Sequence, residues 1–118
     1  MSRILMILAF MIGILLASLW PVSAQQTKEF TLFSGLVGEG ANIWLPSTII
    51  VSKGDEVKLK LRNVALVEHG FSIDALGIKE VIKPGETKEI TLKPTSEGVL
   101  RYYCQLHPGH VGGQLMIK

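Results

Sequence analysis

The stretch Glu56-Val57-Lys58-Leu59-Lys60-Leu61-Arg62-Asn63 alternates apolar with charged residues. A period of two puts Val57, Leu59 and Leu61 on one face and Lys58, Lys60 and Arg62 on the other, the pattern of a strand half in a core and half in water. Reading outward, Lys53-Gly54-Asp55 makes a turn before it, and Ile43 to Val51 is rich in strand formers but interrupted by Pro46, which predicts an edge position or a bulge. Lys28 to Ser34 predicts a first strand, and the glycine-rich Gly35 to Asn42 a flexible connection. That connection lacks the Lys-Ser/Thr of a phosphate-binding loop. On the other side, Ile78 to Lys83 and Thr87 to Lys93 predict strands joined at Pro84-Gly85, whose order suits a type II turn. Pro94 to Gly98 turns the chain again into a strand from Val99 to Cys104. Short strands, close turns and no helical period predict an all-β antiparallel sandwich or barrel of about eight strands.

The chemistry gathers at the end of that series. Cys104-Gln105-Leu106-His107-Pro108-Gly109-His110 holds the only cysteine and two of the three histidines. Pro108 and Gly109 exclude a helix, so the segment is a tight loop able to turn a sulfur and two nitrogens toward one point. Thiolate with imidazole suits zinc or copper. Structural zinc sites of the Cys2His2 or Cys3His kind need more sulfur than this chain owns, whereas one Cys with two His is a copper set. The third histidine lies in His69-Gly70-Phe71-Ser72-Ile73-Asp74, where strand alternation puts it on the face of Phe71 and Ile73. Such a histidine is either a core residue or the anchor that the loop's ligands require from the body of the fold, and the loop's need favours the anchor. Leu100, Tyr102 and Cys104 share an inward face on their strand. Met116 alternates outward from Leu115 and Ile117, which discounts its thioether as a ligand.

Met1-Ser2-Arg3, an apolar run from Ile4 to Trp20 and the small-x-small ending Val22-Ser23-Ala24 read as a signal peptide over residues 1–24, leaving one domain over 25–118. The run exceeds the usual signal core of roughly 7–15 residues and approaches the ~18 of a spanning helix, so a retained anchor is the alternative. Either form places the domain in the periplasm or outside the cell. Twelve Lys and Arg, Arg3 among them, meet ten Asp and Glu, interspersed rather than in runs, which gives no signal for nucleic acid. A lone cysteine in an exported chain cannot form an internal disulfide and is better used as a ligand.

These residues together resemble the cupredoxins, small Greek-key β-sandwich copper proteins. The likeness runs through Pro46 to Gly54-Asp55, Asn63 ahead of His69, Pro84-Gly85-Glu86-Thr87, Gly98 and Tyr102-Tyr103-Cys104. Within the family the chain is most similar to nitrosocyanin-like members, through Gly70-Phe71-Ser72-Ile73-Asp74, Glu80-Val81-Ile82-Lys83, Gly85-Glu86-Thr87-Lys88 and Cys104-Gln105-Leu106-His107-Pro108, while its ligand-loop spacing is amicyanin-like. The resemblance implies one copper per chain held by His69, Cys104 and His107. His69 stands where nitrosocyanin-like members carry a glutamate, and His110 stands where amicyanin-like loops carry a methionine. His110 is then either a fourth ligand, harder than a thioether and favouring Cu(II), or a solvated loop residue. The implied function is one-electron transfer between redox partner proteins by Cu(II)/Cu(I) cycling. The alternative is a copper site that binds or converts a small molecule such as nitric oxide. The lack of an obvious acid/base pair favours the carrier.

Overall fold

The computed structural model describes residues 26–36, 42–109 and 111–118. The signal peptide expected at residues 1–24, the centre of the Gly35–Asn42 connection and His110 lie outside the described residues. The described residues form nine strands: β1 (Thr27–Leu36), β2 (Asn42–Leu45), β3 (Thr48–Val51), β4 (Glu56–Asn63), β5 (His69–Ile73), β6 (Ile78–Ile82), β7 (Thr87–Leu92), β8 (Gly98–Tyr102) and β9 (Gly113–Ile117). A single 3-10 turn at Asp74–Leu76 joins β5 to β6. Among the described residues no helix is long and apolar enough to cross a membrane.

One sheet runs in the order β2-β1-β4-β7, a second β3-β9-β8, and β5 pairs with β6. Ser72 of β5 bridges Tyr103, just past β8, which ties the β5–β6 pair to the second sheet. The alternation in β4 does what its sequence predicts, with Val57, Leu59 and Leu61 at 0–1% exposure. Leu32 and Leu92 join them from the same sheet, against Ile49, Val51, Phe71, Ile73, Ile82, Tyr102, Leu115 and Ile117 from the opposing layer. This is an all-β sandwich with its core between the layers.

The pairing directions are mixed. Four of the six strand pairings are antiparallel, while β1 pairs with β4 and β3 with β9 in parallel. The edge position expected at Pro46 is found, since β2 before it and β3 after it are each the edge strand of their sheet. At Leu45–Pro46, a cis peptide, the chain leaves the first sheet and enters the second. Because β2 and β3 belong to different layers, β4 can return alongside β1 in the same direction. The Pro84-Gly85 turn is as expected: Gly85 has φ 78°, the conformation glycine adopts most readily, and Glu86 N donates to Lys83 O at 2.9 Å.

Buried polar groups pin the layers. Tyr102, 1% exposed, donates its hydroxyl to Pro46 O at 2.6 Å, and burial pushes its phenol up to about 12, so it remains a donor across the ordinary pH range. Asn63 is fully buried, and its amide joins β1, β6 and the loop that leads to β5.

Candidate metal centre

The fold brings His69, Cys104 and His107 together. His69 opens β5 on the face of Phe71 and Ile73 and is 1% exposed, while Cys104, 5% exposed, follows β8 and points into the same interior. The turn after Cys104 brings His107 back beside it, half-buried, with the two imidazole centroids 5.1 Å apart and tilted by 57°. Cys104 Sγ lies 3.8 Å from His69 Nδ1 and 3.4 Å from His107 Nδ1, and the three donor atoms all fall within 4.8 Å of one another. Such separations suit donors that share one ion at about 2.0–2.3 Å.

A backbone donor faces the sulfur. Gly70 N donates to Cys104 Sγ at 3.1 Å, placing a fixed positive dipole end against the sulfur without a competing proton. Trp44 Nε1 donates to Gly70 O at 2.8 Å, so the glycine is held through both its backbone groups. Trp44 in turn meets Phe71 edge to face at 5.6 Å, and Phe71 packs on Tyr102 at 5.4 Å. An aromatic wall thus backs the cluster on the core side. On the other side Leu106, Pro108 and Val111 are exposed and leave the half-buried His107 near the surface.

The other sequence candidates sort differently. His110 lies outside the described residues. Met116 turns outward at 37% exposure, on the face opposite Leu115 and Ile117, as the alternation predicts. Glu68, beside His69, is exposed. Sequence reasoning quoted Gly70 and Gln105 only as parts of a likeness and missed what they do. Gln105 packs its amide against Gly70 and hydrogen-bonds Ser72 and Glu80, a contact between strands that no local pattern announces. Further out, Tyr103 donates its hydroxyl to both carboxylate oxygens of Asp74, at 2.8 and 2.9 Å, which holds its phenol above the usual value, and Arg101 stacks over its ring at 4.9 Å.

A β-sandwich carrying a cysteine sulfur and two imidazoles at one end is a metal-binding domain of the type that holds copper. The chain belongs to the cupredoxin family: the family described as "Cupredoxin-like domain" matches residues 6–117. A multicopper oxidase of Staphylococcus aureus is 36% identical over 84 residues, covering 64% of this chain but only 18% of that protein. Among solved structures, the blue copper oxidase of Nitrosomonas europaea is similar with a TM-score of 0.64 at 19% identity, over 78% of this chain and 39% of that one. A copper-containing nitrite reductase of Thermus scotoductus gives 0.59 at 24% identity, over 78% and 28%. The chain therefore spans well under half the length of these relatives, and its likeness to the two structures is one of fold. It is a copper-binding cupredoxin domain with His69, Cys104 and His107 as its candidate site.

Proposed function

We propose that this domain is an exported one-electron carrier in which His69, Cys104 and His107 hold a single copper. The observation that carries the reading is the convergence of a buried thiol, given a backbone donor at 3.1 Å, with two imidazole nitrogens at 3.4 and 3.8 Å. When bound, copper supplies the Cu(II)/Cu(I) couple. The protein's part is to keep the donors where both states accept them. His69 is locked in the core, Cys104 is clamped by Gly70, and His107 sits near an apolar surface through which an electron can pass to a partner protein. Residues 1–24 are assigned as the signal peptide of a periplasmic or extracellular protein. Amino-terminal sequencing of the mature chain, expected to begin at Gln25, checks that assignment.

A second reading is supported by Met116 facing away from the cluster, so that among the described residues no thioether closes the site. A fourth position filled by His110 or by solvent would give a nitrosocyanin-like centre that takes a small molecule such as nitric oxide. Electron paramagnetic resonance and visible spectra of the copper(II) protein, compared with His110→Ala, separate the two. A small parallel hyperfine splitting and an intense sulfur-to-copper band, unchanged by the substitution and by nitric oxide, are expected of the carrier. A large splitting that reverts in His110→Ala would make His110 a strong fourth ligand, and a spectral response to nitric oxide would favour the second reading.

A further inference from the structure

Gln105 follows Cys104, but its side chain folds back across β5. Its Oε1 accepts from Ser72 Oγ at 2.7 Å and its Nε2 donates to Glu80 O at 2.9 Å. Between those anchors the amide covers Gly70 so closely that a Cβ there would collide with Oε1, Cδ and Nε2 alike. The backbone on either side is fixed as well: Ser72 N donates to Tyr103 O at 2.9 Å, and Tyr103 N donates to Ser72 O at 3.1 Å. Gly70, whose N–H meets the Cys104 sulfur, is thus gripped from the cysteine's own strand end by the next residue along.

We propose that Gln105 is a positioning residue that holds the Gly70 N–H on the Cys104 thiolate and thereby sets the copper's reduction potential. The inference rests on Cys104 being a copper ligand. A hydrogen bond to a thiolate withdraws electron density from the sulfur, weakens its donation to Cu(II) more than to Cu(I), and so raises the potential. The hydrogen bonds of the Gln105 amide go to Ser72 and Glu80. The amide acts by denying Gly70 the freedom to swing its N–H away.

The test pairs two readouts on Gln105→Ala and on the milder Ser72→Ala, which removes one anchor and leaves the glutamine in place. In the metal-free protein the Gly70 amide is expected to exchange with solvent about tenfold faster in Gln105→Ala, the loss of roughly 1.4 kcal/mol of local protection. In the copper protein the preference for Cu(I) over Cu(II) is expected to fall about tenfold, a drop of about 59 mV for one electron. Ser72→Ala should shift both in the same direction by less, and it carries the test alone if the alanine at 105 does not fold. A wild-type copper protein without a sulfur-to-copper band would overturn the ligand reading. A normal band, with Gly70 exchange and potential unmoved in the variants, would overturn the role of Gln105 alone.

Discussion

Cys104→Ser is expected to abolish the intense sulfur-to-copper absorption and to weaken copper binding by well over about a hundredfold, while leaving the metal-free fold almost untouched. The two halves of that expectation have separate causes. A serine hydroxyl does not ionise near neutral pH and is a poor partner for copper beside two imidazoles, so the loss should exceed the 10–100-fold typical of removing an outer-shell partner. In the apo protein, however, the site asks of residue 104 only a small buried side chain that accepts from Gly70 N, and the serine oxygen can accept too. Apo stability should therefore change by no more than about 1 kcal/mol. Chemical denaturation with and without copper measures both at once. Wild type should gain about 2.7 kcal/mol at a free copper concentration a hundred times the dissociation constant, and Cys104→Ser should gain almost nothing at that concentration. An intense charge-transfer band that survived the substitution would remove Cys104 from the site.

Much of this molecule is written locally, and what is not local is what the sequence hides. Strand β4 is legible because its alternation is a property of eight consecutive residues. The turn at Pro84-Gly85 is legible because a positive φ next to a fixed one leaves few residue choices. The inward face of Leu100, Tyr102 and Cys104 and the outward turn of Met116 follow from the same parity. Strand direction does not. Alternation is blind to whether a neighbour runs parallel or antiparallel, so the β1–β4 and β3–β9 pairings appear only once the chain is seen to change layer at Pro46. Likewise β5 reads as a half-buried strand, yet all five of its residues are buried. Its second face is covered by the side chain of Gln105, far along the sequence, and a glycine followed by a serine gives no sign of that. The three clustering donors were legible because a thiol and histidines are chemically rare here. Their geometric support was not, since it is made of backbone amides and an ordinary glutamine.

Asn63 shows how such support carries over into stability, and its replacement by alanine is expected to cost the metal-free protein about 3 kcal/mol. The side chain is fully buried and uses its entire hydrogen-bonding capacity. Its Oδ1 accepts from Ser34 Oγ at 2.7 Å and from Ala65 N at 2.9 Å, while its Nδ2 donates to Val67 O at 2.8 Å and Ile82 O at 2.9 Å. Its backbone adds a bond from Asn63 N to Glu86 O and another from Gly85 N to Asn63 O. Alanine keeps the backbone pair but strands four partners. Ser34 Oγ and Ile82 O are buried and bear most of the penalty of about 1–3 kcal/mol each, whereas the groups on the Ala65–Val67 loop can turn toward water. That loop runs directly into His69, so its release should also loosen this candidate ligand, and copper affinity should fall along with stability. Ser34→Ala is the control, because it removes one bond and leaves Asn63 three others; it should cost about 1 kcal/mol. Urea denaturation of both variants decides the matter. If Asn63→Ala cost no more than Ser34→Ala, water would be filling the vacated site and the amide would not be what ties β1, β6 and the His69 loop together.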